Sequence, residues 1–539
     1  MASINSQSFD LLIIGAGING AGIARDAALR GLKVLILDKD DIASGTSTYS
    51  TRLIHGGLRY LEHGEFGLVR ESLRERELLL RNAPHLVRPL PILIPIYGGM
   101  KRGRAKIRAG MIAYDLLSRG KTLPQHRVLS AVETLGQVPS LNSERLVGGV
   151  VYYDAQVEFA ERLVFENVLS AVENGAKVVT HARVEDFASA DDRLIAATYR
   201  LQSGEPQTAV ARFFVNAAGP WIDLVLKRIQ SEANEQLMGG TKGSHIIAAP
   251  FVETGSMAIY VEAHTDGRPF FIIPWNSNYL IGTTDVRFDK DPDEACAEDW
   301  EIDYLLTEIN RLFPAANLSR DHILYTYSGV RPLPFTTDDH EDRITRRHFI
   351  KQHKHLQNLV SIVGGKLTTY RSLAEECVDL ICQRVNADYV KCRTSDLPLG
   401  GAHNFESFAR EFGKRSELSS AAKSRLLRIY GSRAAQVVDY CRDKKLLEYL
   451  DKKQSVLAGE IAFSFEKEFA KTLTDCLMRR TMIGLDADMG LPQVEAATDI
   501  AADYANWNEE RVKSELHLYR AFTQNRSAIV QSGRGQATE

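Results

Sequence analysis

FDLLIIGAGINGAGIARDAALRGLKVLILDKD, residues 9–40, switches its hydrophobic rhythm twice. The apolar run ending at Ile14 predicts a buried strand, about residues 19–30 predict a helix, and a second apolar run predicts a strand ending at Asp38. Between the first two elements stand Gly15, Gly17 and Gly20. In such a βαβ unit the first glycine makes the tight turn, the second admits a pyrophosphate and the third lets helix and strand pack closely. The helix N-terminus presents free N–H groups to the phosphates. Asp38 lies near the expected spacing of about 20 residues, where a carboxylate accepts hydrogen bonds from a ribose diol. The unit predicts a Rossmann-like α/β domain that binds a dinucleotide.

The segments that follow indicate which dinucleotide. DIASGTSTYSTRLIHGGLRY, residues 41–60, strings together small hydroxyl side chains, including Ser44, Thr46 and Ser47, that suit the lining of a polar cofactor tunnel. It ends in a turn carrying His55, two glycines and Arg59, a titratable imidazole and a permanent cation beside a bare backbone. RFFVNAAGPWIDLVL, residues 212–226, reads as a strand, a turn at Gly219 and a helix. IVGGKLTTYRSLAEECVDLI, residues 362–381, repeats that arrangement with Gly364, Gly365, Lys366, Leu367 and Thr368 at the junction. A helix N-terminus there stabilises negative charge. A flavin edge gains such charge on reduction and nicotinamide does not, so the expected cofactor is FAD.

Composition sets the outer limits. A chain of 539 residues, 44% hydrophobic and 25% charged, has the balance of a globular protein of about three domain-sized units. The net charge of -3 carries no overall footprint for nucleic acid, so an anion site must be local. Six scattered cysteines without a CxxC pair fit a reducing compartment and speak against zinc ribbons, and no metal ligands are assigned. The N-terminal stretch lacks a signal-peptide pattern, and no apolar run reaches the roughly 18 residues of a membrane span.

The opening GxGxxG, TSTYSTRLIHGGLRYLE, NAAGPW, FIIPWNSNYLIGTTD, YSGVRPL and VGGKLTTYR occur together and in this order. In this the chain resembles the FAD-dependent glycerol-3-phosphate dehydrogenases, quinone-linked members of the D-amino-acid-oxidase-like flavoproteins. The resemblance runs from residue 9 to about 390, with a weaker match around GEIAFSFEKEFAKTLTDCLMRRT, residues 459–481. It implies a Rossmann-like FAD-binding domain from residues 1–85, 151–235 and 356–393, interwoven with a substrate domain on a mixed or antiparallel sheet from residues 86–150 and 236–355. A C-terminal helical domain over residues 394–523 and a flexible tail over 524–539 complete the expectation.

The resemblance also implies a substrate, sn-glycerol 3-phosphate, and matches His55, Arg59, Arg331, Arg346 and Lys366 to active-site positions. The expected arrangement puts Arg331 beside the reacting oxygen, Arg59, Arg346 and Lys366 around the phosphate, and His55 as proton acceptor because its pKa lies near neutrality. The oxygen-using glycerol-3-phosphate oxidases share nearly all of these motifs and form the alternative reading. More distant alternatives are an amine or amino-acid oxidase and a non-enzymatic FAD-containing anion-binding protein.

IYGGMKRGRAKIRAGMIAYDLLSRGK, residues 96–121, sets Lys101, Arg102, Arg104, Lys106 and Arg108 before an apolar group of Met111, Ile112, Leu116 and Leu117. Such a segment can lie on an anionic bilayer without spanning it. Together with the resemblance, which implies a membrane quinone as electron acceptor, this segment gives the cytoplasmic face of a membrane as the expected location. A homo-oligomer is allowed for.

Overall fold

A computed structural model describes residues 8–527 apart from 101, 119, 202–203, 233, 337–346, 386–389 and 416, and describes only the backbone of Arg59. The unit read from residues 9–40 is present as β1 (Ser8–Ile14), α1 (Ile18–Leu29) and β2 (Val34–Leu37). β1 pairs in parallel with β2 on one side and with strand Gln207–Asn216 on the other. Lys177–Val179 continues the parallel order beyond β2, and Leu359–Val363 continues it beyond Gln207–Asn216. All four residues of β2 are buried, as a parallel strand covered on both faces requires. Helices Ala160–Glu173 and Tyr370–Arg384 pack beside α1. Gly20 permits the close approach of α1, since a Cβ there would overlap the Gly15 carbonyl. Edge strand Phe349–Gln352 and hairpin Ala182–Ala190/Arg193–Leu201 complete eight strands among the described residues.

The second sheet has ten described strands and is mixed, as expected. Its pairs are antiparallel except for Ala258–Glu262, which runs parallel to Val87–Tyr97. Strands Ala258–Glu262, Pro269–Trp275 and Asn278–Gly282 correspond to the AIYVEA, FFIIPW and YLIGTT segments. Two expected boundaries fall inside paired structure. Leu146–Val157 is hydrogen-bonded to Val87–Tyr97 along its length, so residues 151–157 belong to the second sheet. Phe349–Gln352 pairs with Leu359–Val363 and so belongs to the first. Sequence motifs mark turns, whereas hydrogen-bond ladders decide sheet membership.

Helices from Phe405–Phe412 to Glu509–Gln524 make up the C-terminal helical region. Its buried apolar residues, among them Leu457, Ile461, Leu477 and Tyr519, join a core that also contains Leu90, Tyr152 and Trp275. Buried ion pairs cross the same junction. Asp41 Oδ2 accepts from Arg479 Nε at 2.7 Å and Arg480 Nη1 at 2.9 Å, while its Oδ1 accepts from Arg480 Nη2 at 2.7 Å. Arg162 donates to both carboxylate oxygens of Glu468 at 3.0 Å. The start of the expected tail is held in place: Arg526 stacks 3.5 Å from the Phe522 ring and donates to Tyr49 Oη at 2.7 Å. The rest of that tail, 528–539, lies outside the described residues.

Removing one partner of a buried ion pair leaves a charge without solvent or counter-ion. Asp41→Ala is expected to lower the unfolding free energy by about 3–5 kcal/mol, read as a lower midpoint in urea titration. A loss of only about 1 kcal/mol or less, the range of exposed pairs, would show that Arg479 and Arg480 do not depend on Asp41.

Candidate active site

The ends of the parallel strands enclose a cleft of about 560 Å³. Its lining includes Gly15, Gly17, Asp38, Ser44, Thr46, Ser47, Gly219, Gly364, Gly365 and Leu367, drawn from four separated stretches of chain. Gly20 lies beneath the turn, packed on Gly15. Gly15 has φ +106°, a conformation that glycine adopts without strain, and a Cβ there would stand 2.6 Å from the Ala217 carbonyl oxygen. At Gly17 the nearest atom to an added Cβ is Ser47 Oγ at 3.5 Å, which leaves the cleft side of the turn open.

Asp38 Oδ2 accepts from Ala16 N at 2.6 Å and Oδ1 from Asp40 N at 2.8 Å. Burial nevertheless pushes the carboxyl up to about 6, against the two amides that pull it down. Ser47 Oγ accepts from Ile18 N at 3.0 Å, at the start of α1. Two buried polar atoms that belong to cleft-lining residues, Asn19 Oδ1 and Trp221 Nε1, have no hydrogen-bond partner among the described residues. A glycine cradle, a helix N-terminus, a carboxylate at the end of β2 and polar atoms awaiting partners together fit a dinucleotide cofactor.

A second, smaller cavity of about 170 Å³ adjoins the first. Thr46, Ser50, Pro332, Gly365, Lys366 and Leu367 line both. This cavity brings together His55, Arg331, Lys366 and Thr368 from three distant motifs. Arg59 lies on the adjacent helix Leu58–Glu62, with its side chain outside the described structure, and Arg346 lies outside the described residues. The His55 amide donates to Thr368 Oγ1 at 3.2 Å, which ties the His-Gly-Gly turn to the GGKLTT turn. Lys366 Nζ lies 3.8 Å from the Tyr60 ring centroid and donates to Ser72 Oγ at 3.2 Å.

Arg331 ends strand Ile323–Arg331, whose register sets it opposite Thr241. Its guanidinium donates to Asp285 Oδ1 at 2.9 Å, Thr283 Oγ1 at 3.1 Å and the Thr284 carbonyl at 3.1 Å. Gly243 makes room for it, since a Cβ there would overlap Nη2. Asp285, which sequence reading left unassigned within GTTD, thus shares the positive charge of Arg331.

His245 is the other residue that sequence reading missed. It sits in strand Thr241–Ala248, all of whose residues are buried, and lines the small cavity. The only available signal was an imidazole in a strand that continues as IIA. Nε2 stands 2.9 Å from Thr51 Oγ1, and Nδ1 has no hydrogen-bond partner among the described residues. Burial first, then the charges of Arg331 and Arg52, hold its pKa well below the ordinary imidazole value.

Comparison with known proteins accords with this geometry. Residues 10–380 match the family model for FAD-dependent oxidoreductases, and residues 392–512 match that for the C-terminal domain of alpha-glycerophosphate oxidase. A glycerol-3-phosphate dehydrogenase of Synechocystis sp. is 43% identical over 537 residues, covering 96% of this chain and 97% of its own. An aerobic glycerol-3-phosphate dehydrogenase of Staphylococcus haemolyticus is 35% identical, covering 89% and 87%. Among solved structures, the glycerol-3-phosphate dehydrogenase of Bacillus halodurans complexed with FAD superposes with a TM-score of 0.77 at 29% identity, covering 97% and 96%. With its FAD cradle and adjoining cationic cavity, the chain belongs to the FAD-dependent glycerol-3-phosphate dehydrogenases.

Proposed function

We propose that this FAD-dependent enzyme oxidises sn-glycerol 3-phosphate to dihydroxyacetone phosphate and delivers the electrons to a membrane quinone. The observation that carries this reading is the wall shared by the two cavities, Gly365, Lys366 and Leu367. A ligand among the cations of the small cavity therefore lies against the end of the cofactor cleft. At about 170 Å³ the small cavity falls below the roughly 300–1,000 Å³ of drug-sized sites, which suits a short phosphorylated polyol.

Bound FAD supplies a two-electron acceptor for the hydride leaving C2. The chain's own residues bind a dianion, orient one C–H bond and take the hydroxyl proton. Lys366, with Arg59 and Arg346, is assigned to the phosphate. Arg331 is assigned to the C2 oxygen, where a fixed cation stabilises alkoxide character. Holding the substrate carbon against the cleft converts a collision into an oriented, unimolecular step. Two imidazoles line the cavity, and both His55 and His245 are candidates for the proton acceptor. The lowered pKa of His245 keeps its imidazole neutral and so able to accept a proton, though as a weaker base. When Nε2–H donates to Thr51, Nδ1 carries the lone pair.

Support for the quinone and for the inner membrane face comes from helix Arg104–Leu117. Arg104, Arg108, Ile112 and Leu116 recur every fourth residue and are all exposed, so they share one stripe. Ile112 is 46% and Leu116 55% exposed, as is 53% of Phe66 on the neighbouring helix Phe66–Asn82. Of the apolar group read from the sequence, Met111 is instead buried in the core and Leu117 partly buried against it. Arg102 is held by Glu62 and Glu262, and Lys101 lies outside the described residues. Tyr114, on the inner face, accepts from Gly56 N at 2.9 Å, so the stripe backs directly onto the His-Gly-Gly turn. No described helix is long and apolar enough to cross a membrane. The dehydrogenase names of the relatives support this reading, whereas the C-terminal match to alpha-glycerophosphate oxidase keeps the oxygen-using alternative in view.

Cofactor binding separates two glycines. Gly17→Ala is expected to fold normally yet lose FAD, because its methyl group enters the open side of the turn, whereas Gly15→Ala should lower the unfolding temperature as well. Released flavin, identified chromatographically, measures the first effect and thermal unfolding of the cofactor-stripped proteins the second. Full FAD retention by folded Gly17→Ala would contradict the assignment of that turn to the cofactor.

In the small cavity, Arg331→Ala and His245→Ala are each expected to keep FAD and lose about 10²–10⁴-fold in kcat. His55→Ala run in parallel decides between the imidazoles. A base of lowered pKa is in its neutral form at every pH above that value. The acid limb of kcat/KM should therefore fall below the ordinary histidine value of about 6.5, with activity lost only as the pH drops through it. An acid limb at or above that value, or a fully active His245→Ala enzyme, would remove His245 from this role.

The surface stripe makes its own prediction. Arg104→Glu/Arg108→Glu should lose about 1 kcal/mol or more of liposome affinity per reversed charge, and Ile112→Ser/Leu116→Ser should weaken binding further. Sedimentation with anionic vesicles is the measurement, alongside reduction of a soluble dye and of a quinone. Dye reduction should persist while vesicle binding and quinone reduction fall. Rapid peroxide formation from oxygen without quinone activity would instead establish the oxidase.

A further inference from the structure

We propose that Glu232, Glu235 and His353 form a binding site for a divalent transition-metal ion, remote from the two cavities of the active site. Each offers one ligand atom, and these atoms lie within 4.8 Å of one another. None of the three residues lines either cavity. His353 Nδ1 stands 2.8 Å from Glu232 Oε2 and 3.1 Å from Glu235 Oε2, so one nitrogen faces two carboxylates. The His353 side chain is fully buried and that of Glu232 is only 5% exposed. Glu232 Oε1, the second oxygen of a buried carboxylate, has no hydrogen-bond partner among the described residues. A buried carboxylate oxygen left without a partner is costly, and an ion held by both oxygens of Glu232 satisfies it.

The surroundings hold the imidazole for this task. His353 Nε2 lies 2.9 Å from Ser361 Oγ, and when Nε2–H donates to that hydroxyl the Nδ1 lone pair faces the carboxylates. One imidazole and two carboxylates make a ligand set suited to zinc, manganese or ferrous iron, with a fourth position for water. Bonds of about 2.1 Å at a tetrahedral angle separate their donor atoms by about 3.4 Å. Opening the observed 2.8 and 3.1 Å to that spacing takes about 0.3–0.6 Å. Lys351 Nζ pairs with the other oxygen of Glu235, and with its side chain 31% exposed the ammonium can withdraw to solvent when the ion arrives.

The placement suggests what the ion does. Glu232 and Glu235 lie between helix Ile222–Leu226 and strand Thr241–Ala248, while His353 follows edge strand Phe349–Gln352 and Ser361 lies in Leu359–Val363. An ion here fastens the edge of the cofactor sheet to the segment that leads into the strand carrying His245. Nothing in the spacing of these residues signals a metal, since Glu235 and His353 lie 118 positions apart.

The rival occupant is a proton: an imidazolium bridging two carboxylates uses the same three side chains. Full-length, FAD-loaded protein is stripped with chelator, equilibrated with zinc chloride, freed of loose ion by gel filtration and assayed by mass spectrometry. Wild type should retain one zinc per chain, and zinc should raise its unfolding temperature. Glu232→Gln and His353→Gln should bind about tenfold or more weakly with FAD content unchanged, and the rise in unfolding temperature on adding zinc, compared within each variant because loss of the buried Glu232–His353 pair lowers the chelator-state value, should disappear. If either buried substitution impairs folding, Glu235→Gln, at a partly exposed position, carries the same expectation. A wild type without stoichiometric zinc, or folded variants that retain zinc as well as wild type, would overturn the proposal and leave a charge triad only.

Discussion

Four parallel strands that lie side by side must end at one edge, and that constraint organises this molecule. Strands Ser8–Ile14, Val34–Leu37, Gln207–Asn216 and Leu359–Val363 are paired in register. The residues that follow each of them, Gly15, Asp38, Gly219 and Gly364 with Gly365, therefore gather in one cleft although they span 350 positions of chain. Turn, acid, second turn and third turn are adjacent because the ladder leaves them no other place. This is the crevice outside the carboxyl ends of the strands, where open α/β sheets bind their ligands.

The second sheet completes the site through register of a different kind. Thr241 pairs with Arg331 and His245 with Tyr327, so residues 241, 243 and 245 present alternate positions of one strand face. Gly243 leaves the middle position empty, and the Arg331 guanidinium fills it. An arginine and a buried imidazole thereby become neighbours, and the arginine charge adds to burial in lowering the pKa of His245. A one-residue slip would turn His245 to the opposite face.

Charges taken out of water hold these two sheets and the helical region together. Asp41 stands just before the hydroxyl-rich segment of the cofactor cleft and is engaged by Arg479 and Arg480 of the helical region. Arg52, three residues before His55, is paired with Glu161 at 2.7 Å and stacks 4.6 Å from the Trp275 ring centroid. Desolvating such pairs offsets much of their Coulomb attraction, but removing one partner alone leaves a buried charge uncompensated. Both lie beside the segment that carries the site, where loose packing would misplace a catalytic group.

The sequence by itself determined the cofactor unit, because a glycine turn, a helix start and a carboxylate at the end of a strand are local features that adjacent residues specify. Its ordered motifs pointed to His55, Arg331 and Lys366 only through the family resemblance, and the fold brings those three into the lining of one cavity. Tertiary structure alone decided the partners of those residues. Asp285 beside Arg331, His245 in the cavity wall and the split of the basic helix into an exposed stripe and a core face all depend on which strands and helices meet. The sheet membership of residues 151–157 and 349–352 was decided in the same way, by hydrogen-bond ladders between segments far apart in the chain. Periodicity reports which face of an element is apolar; only the folded chain determines what that face lies against.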